Sequence, residues 1–423
     1  MLYRKIVFFI LLLGCCASAL QAQKILNPIL IQREGLPNLA AKLKSKPTDS
    51  LIIAFIGGSI TEAQNGYRDQ TIAWLQQKYP QKIIKQINAG IGGTGSSLGV
   101  YRTKEQVLKH NPDLVFIEFA VNDYKETRKS ILESMEGMVR QVWLQNPQTD
   151  ICFIYTFTKD MIESYQKGFA PYSLLTMEEI ANHYQIPSIN FAPDILKRLN
   201  NKELFPIGNN AMGKDSVFFS GDGVHPYPET GHKYYAETAA GCLTALLNTS
   251  KNKIKHHLLS VYFSDALVNA RMIDVDDRML INPMVNNYKT IVENRKTYKR
   301  LLPNLQVLSS EKSVLNFKFS GNKIGFLDVI GPSSTQLKVE IDQDAPRYIT
   351  RFDKFGTFTR MHWFFIENLS DGEHQIKITI VPQRIDKFEI IGKNPSELKN
   401  IKDYQQEFWQ VGKILLVNAA SKI

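Results

Sequence analysis

The chain has 423 residues, more than a single hydrophobic core usually covers, so two domains are expected. A composition of 43% hydrophobic and 22% charged residues is that of an ordinary globular protein, and no low-complexity tract or internal repeat interrupts it. The formal net charge of +10 comes from scattered Lys and Arg with no basic-aromatic array, which argues against nucleic acid as a partner and leaves solubility, or attraction to acidic polysaccharide, as its meaning.

Residues 1–22 read as a signal peptide: Arg4 and Lys5, the apolar run Ile6 to Leu13, then small residues ending at Ala22. The run is too short for an integral membrane span. Cleavage after Ala22 is expected, with Ala19 as an alternative and Cys15 as an alternative lipoprotein processing site that would carry a lipid anchor. Export to the periplasm or the extracellular space follows in either case. Cys15 and Cys16 fall in this segment, so Cys152 and Cys242 alone remain, without a disulfide framework or a zinc pattern, and both are expected as buried thiols.

From Leu51 to about Asn248 short apolar runs alternate with amphipathic stretches. Strands are predicted at Leu51 to Ile56, Ile83 to Asn88, Leu114 to Phe119, Ile151 to Phe157 and Pro187 to Asn190. Helices are predicted at Asp69 to Tyr79, Leu98 to His110, Lys125 to Gln145, Pro171 to Tyr184, Pro193 to Asn200 and Pro228 to Leu247. The alternation implies a parallel three-layer α/β sheet with right-handed crossovers, whose ligands bind beyond the carboxyl ends of the strands. Asn248 to His257 reads as a polar linker. From Val314 the period becomes two, with strands near 315–319, 324–329, 337–341, 358–366, 375–381, 388–391 and 409–417, which implies a C-terminal antiparallel β-sandwich. The expected division is thus 1–22 signal, 23–250 catalytic domain and 251–423 linker plus sandwich.

Four stretches carry chemistry: Gly57-Gly58-Ser59-Ile60-Thr61, Asn88-Ala89-Gly90-Ile91-Gly92-Gly93, Val121-Asn122-Asp123 and Asp222-Gly223-Val224-His225-Pro226. The first three follow the first three strands. Ser59 on its glycine turn is a candidate nucleophile, which needs a base within hydrogen-bond reach. His225 is singled out among eight histidines because Asp222, three residues earlier in a glycine-containing loop, can orient its ring. The backbone N–H groups of Ser59 and Gly93 and the side-chain amide of Asn122 are candidate oxyanion donors. Each has an ordinary alternative: Gly93 as turn punctuation, Asn122 as a helix cap, Asp222 as an Asx-turn. Their convergence at one sheet edge favours acyl transfer and a serine esterase.

The four blocks resemble those of the SGNH/GDSL hydrolase superfamily, over about Leu51 to Asn248. That resemblance implies a flavodoxin-like sheet, ester hydrolysis without cofactor or metal, and an acyl-serine intermediate. Gly58 stands where that family usually has aspartate, and Ala120 where glycine often precedes the asparagine. Export and the sandwich, which resembles galactose-binding-like jelly rolls, lead to an expected substrate of acetylated carbohydrate. A lysophospholipase or general carboxylesterase is the alternative, and a glycan-binding protein with lapsed catalysis the alternative of another class. Trp363, Tyr348 and Arg351 are candidates for a sugar site in the sandwich, against the commoner fate of such residues as core. The sequence leaves the oligomeric state open.

Overall fold

The computed structural model describes residues 28–46, 49–213, 216–249, 252–282 and 296–417; the expected signal peptide at 1–22, with Cys15, lies outside them. The N-terminal half contains β1 (Leu30–Ile31), α1 (Pro37–Leu43), β2 (Ser50–Gly57), α2 (Ser59–Glu62), α3 (Tyr67–Lys78), β3 (Ile83–Gly90), α4 (Ser96–Gln106), β4 (Leu114–Glu118), α5 (Arg128–Gln145), β5 (Asp150–Tyr155), α6 (Ile162–Gln166), α7 (Tyr172–His183), β6 (Ser188–Asn190), α8 (Ala192–Asn200), β7 (Phe205–Ile207), β8 (Phe218–Ser220) and α9 (Gly231–Thr249). The main sheet runs β1-β6-β5-β4-β2-β3, with every pair parallel except β1–β6. β4 and β5 are buried along their whole length because helices cover both faces, which explains their unbroken apolar sequence.

β1 has no counterpart among the predicted strands. Two residues carry no readable period, and the pairing is secured from outside it: the Arg33 guanidinium donates to Ile186 O at 2.7 Å and Ser188 Oγ at 3.2 Å and pairs with Glu178.

The C-terminal half contains β9 (Arg271–Asp274), β10 (Leu280–Ile281), α10 (Lys296–Leu301), β11 (Gln306–Leu308), β12 (Val314–Ser320), β13 (Ile324–Ile330), β14 (Gln336–Ile341), β15 (Arg347–Thr350), β16 (Arg360–Ile366), β17 (Glu373–Val381), α11 (Lys387–Ile391) and, near its end, β18 (Trp409–Leu416). Two antiparallel sheets, β10-β12-β17-β14-β15 and β11-β18-β13-β16, face each other, and β9 adds to β18. The alternating Leu315, Phe317 and Phe319 point into the core between them. Residues 388–391, predicted as strand, are helical instead. Asp386 Oδ1 accepts from the N–H groups of Phe388 and Glu389, and Gly392 ends the turn at φ 64°, so caps override a short apolar run.

The predicted linker is fastened down. His256 is buried, stacks on Trp143 at 4.8 Å and bonds Asp150 Oδ1 at 2.8 Å, while Glu136 accepts the N–H groups of Tyr262, Phe263 and Ser264. The outer face of the β13-containing sheet, through Leu327, Val329, Met361, Trp363 and Phe365, joins the apolar core of the α/β half. Buried Lys413 on β18 pairs with Glu105 of α4 at 3.0 Å across the same seam and with Asp274 on the neighbouring strand β9 at 3.1 Å.

Candidate active site

β2 ends at Gly57, and Ser59 opens the single turn α2, which lifts its hydroxyl above the carboxyl edge of the sheet. The loop after β8 turns back toward it. Gly223 takes φ +85°, a conformation side chains rarely adopt, and its N–H is held by Ser220 Oγ at 2.6 Å. Beyond that glycine the chain delivers His225, whose Nε2 lies 2.9 Å from Ser59 Oγ and whose Nδ1 lies 2.7 Å from Asp222 Oδ2. The other Asp222 oxygen accepts the N–H groups of Val224 and His225, each at 2.8 Å.

The electrostatics assign the protons. Burial pushes the Asp222 carboxyl up, but the His225 ring and the two N–H donors outweigh it and hold the group down at about 2. An ionised carboxylate only accepts hydrogen bonds, so in the neutral ring Nδ1 carries the proton and Nε2 is left to accept from the Ser59 hydroxyl. That is the tautomer a general base requires. His225 and Asp222 are both about half exposed, with relative side-chain areas of 54% and 55%, so a substrate can reach them.

Asn122 follows β4, and its amide oxygen occupies the space beside Gly58: a Cβ there would lie 1.9 Å from Asn122 Oδ1. This is a physical reason for Gly58 in place of the aspartate usual in the resembled family, because Gly58 has an ordinary φ of −88° and needs only the room. Gly93 adopts φ +73° in the exposed turn after β3, with open space on its Cβ side. Gly92, next to it, lies against Ser59: its Cβ would sit 3.6 Å from that of the serine. Ser59, Gly93, Asn122, Asp222 and His225 therefore gather at one edge of the sheet.

Several supports of this edge carry no sequence signature. Glu118, at the end of β4, is buried below the turn and accepts from Thr61 Oγ1 and Thr156 Oγ1, both at 2.8 Å; burial raises its pKa. Arg102, fully buried on α4, donates to Ala89 O at 2.7 Å and Gly57 O at 3.3 Å, tying together the ends of β3 and β2. His232 lies beneath the site with Nδ1 accepting the Tyr67 N–H at 3.1 Å; burial, and then the nearby His225 and Arg68, press its pKa down to about 3, so it stays neutral. In the sequence Glu118 is one more strand residue and Arg102 one more helical arginine.

Two clefts flank the serine and histidine. One of about 660 Å³ is lined by Ser59, Glu62, Arg68, Asp69, Asn88 and Arg300. The other, of about 330 Å³, lies between Val121, Tyr124, Met161, Tyr172 and Val224. The three sugar-site candidates of the sandwich do not meet. Arg351 is buried in a two-pronged pair with Asp328, at 2.7 and 2.8 Å; Trp363 packs at the seam between the halves; Tyr348 is exposed on β15. Among the described residues no group of three or more His, Cys, Asp or Glu is placed to hold a metal, and no helix is long and apolar enough to cross a membrane. Cys152 and Cys242 are buried thiols, and burial raises the second to about 11.

Residues 55–232 match the GDSL-like Lipase/Acylhydrolase family. Among solved structures, a two-domain esterase (CEX) active on acetylated mannans, co-crystallized with mannopentaose, aligns with 93% of this chain and 99% of its own at 19% identity and a TM-score of 0.66. A structure of a two-domain esterase of the same description without that oligosaccharide aligns over the same shares with a TM-score of 0.63 and 19% identity. A search of curated proteins returned no match.

Proposed function

Since residues 55–232 belong to the GDSL-like lipase/acylhydrolase family and form an SGNH-type serine esterase domain, we propose that the protein removes acetyl groups from carbohydrate through an acyl-serine intermediate. The observation that carries the reading is the hydrogen-bonded chain Ser59–His225–Asp222 opening onto a polar cleft of about 660 Å³. Ser59 Oγ attacks the ester carbonyl as His225 Nε2 takes its proton, and Asp222 stabilises the imidazolium that forms. The negative charge on the former carbonyl oxygen is met by the Ser59 and Gly93 N–H groups and the Asn122 amide. Collapse expels the sugar alkoxide, protonated by His225. Water, activated by the same imidazole, then releases acetate and restores Ser59.

A polar cleft beside the serine suits a hydroxyl-rich leaving group, and the structural relative that aligns over 99% of its length is an esterase active on acetylated mannans. Export by the N-terminal segment, to periplasm or medium, belongs to the same proposal and matches a polymeric substrate outside the cell. The test is acetate release by purified protein from acetylated mannan and xylan oligosaccharides, with p-nitrophenyl acetate and octanoate as chain-length controls. Release that disappears in Ser59→Ala supports the reading. Octanoate turned over faster than acetate, with no acetate released from any oligosaccharide, overturns it in favour of a general carboxylesterase.

A further inference from the structure

The matched family segment ends at residue 232, yet one of the side chains lining the cleft beside Ser59 arrives from 68 positions further on. Arg300 sits on α10, the short helix leading into the sandwich, whose Tyr298 and Leu301 are buried in the core shared by the two halves. Its guanidinium reaches the end of β3: Nη1 donates to Asn88 O at 3.2 Å, and Nη2 donates to Gly90 O. Nη2 also lies 3.3 Å from Glu62 Oε1, and the other oxygen of that carboxylate accepts the Gly92 N–H at 2.7 Å. The turn Gly90-Ile91-Gly92-Gly93 is thus gripped at its start by Arg300 directly and near its end by Arg300 through Glu62.

We propose that Arg300 is a positioning residue through which the C-terminal half holds the glycine turn that presents the Gly93 N–H to the oxyanion. The turn is anchored at its middle, where buried Ile91 donates its N–H to Gly57 O at 3.0 Å and its carbonyl accepts from Thr94 Oγ1 at 2.8 Å, so the part that needs an outside hold is the glycine pair beyond it. Gly90, Gly92 and Gly93 lack side chains, and Gly93 adopts φ +73° in open space. An N–H that must meet a developing charge to within a fraction of an ångström then depends on outside restraints. A guanidinium suits the task because its planar fork donates to several oxygens at once, which the point charge of a lysine does not match. Arg300 is partly exposed, with 37% relative side-chain area, so its removal leaves no cavity in the core.

The inference rests on the acyl-transfer reading of Ser59 and Gly93, and the test keeps the two apart. Wild type, Arg300→Ala, Arg300→Lys and Ser59→Ala are assayed on p-nitrophenyl acetate, whose leaving group makes no sugar contacts, and in parallel on acetylated mannan oligosaccharides. A wild type without turnover defeats the functional reading itself. With an active wild type, Arg300→Ala is expected to lose about tenfold to a hundredfold in kcat with KM changed by less than about twofold, the pattern of a misplaced transition-state donor. Arg300→Lys should fall between the two. Millimolar guanidinium should restore part of the Arg300→Ala rate while leaving wild type and Ser59→Ala unimproved. A merely structural latch predicts a lowered melting temperature with kcat retained and no rescue by guanidinium. That result overturns the proposal, as does a loss confined to KM on oligosaccharides, which would make Arg300 a substrate contact. Should Arg300→Ala fail to fold, the Arg300→Lys variant carries the test alone: full wild-type kcat in it refutes the need for the fork.

Discussion

Alanine at position 58 is a small change with a large calculable effect. The added Cβ would stand 1.9 Å from Asn122 Oδ1 and 2.7 Å from its Cγ, whereas ordinary contact begins near 3.4 Å, so the amide must retreat by about 1.5 Å. The backbone is no obstacle, since φ −88° is open to alanine, and the retreating group is the far end of a flexible side chain. Folding should therefore be unharmed or favoured by about 0.4–1 kcal/mol through the stiffer unfolded chain. The oxyanion is another matter: a misplacement of that size costs on the order of a hundredfold in kcat, or about 3 kcal/mol, equivalent to deleting the donor. The assay is a double-mutant cycle on p-nitrophenyl acetate with Gly58→Ala, Asn122→Ala and the pair, beside thermal melts. Each single variant should lose about a hundredfold, and the pair no more than either, because both act through one amide. Losses that multiply in the pair, or a Gly58→Ala enzyme within about threefold of wild type, would refute the placement of Asn122 as an oxyanion donor.

Other outcomes follow from the same geometry. His225→Ala should abolish turnover while leaving the melting temperature nearly unchanged, because the ring is half exposed at the rim of the sheet; near-normal hydrolysis would remove the base from the mechanism. In the pH–rate profile kcat/KM should rise with pH, since His225 accepts the serine proton only when neutral, and Asp222, held at about 2, stays ionised throughout; a rate that falls as pH is raised from acid would contradict this. Asp123, buried beside Asn122, accepts the Ser96 N–H at 2.9 Å, and burial above all pushes its pKa from 3.8 up to about 7. Because the folded value is the higher one, its contribution to stability is present below about pH 4 and lost as pH rises to about 7, at about 1.4 kcal/mol per unit. Asp123→Asn, which keeps the acceptor for Ser96, should melt higher than wild type at pH 8 and equally at low pH; parallel pH dependences of the two melts would refute it.

The residues proposed to bear the chemistry are readable because their types and local spacing are themselves the requirement. A carboxylate three positions before a histidine around a glycine is a geometric device, and the loop at 222–225 folds as that device demands. Ser59 was legible from the apolar strand before it. Arg300 was not, since its relation to the site is made by the packing of α10 some 240 residues away from the serine, a fact of tertiary structure with no local pattern. His256 shows the same limit from the other side. A lysine-rich stretch without hydrophobic period reads as linker, yet one imidazole inserted between Trp143 and Asp150 anchors it. Where a cap competes with a short apolar run, as Asp386 does at 388–391, propensity alone gives the wrong element.

The packing of the β13-containing sheet against the α/β half bears on how such a protein can change over time. A sandwich that binds sugars as an independent cassette can be traded between enzymes, since its surface is finished on every side. Here Leu327, Val329, Met361, Trp363 and Phe365 would be laid bare by the exchange, and the cation of Lys413 would be stranded away from Glu105. Shuffling is therefore closed to this architecture unless both partners are rewritten at the seam, and substitutions on one face are expected to be answered by substitutions on the other.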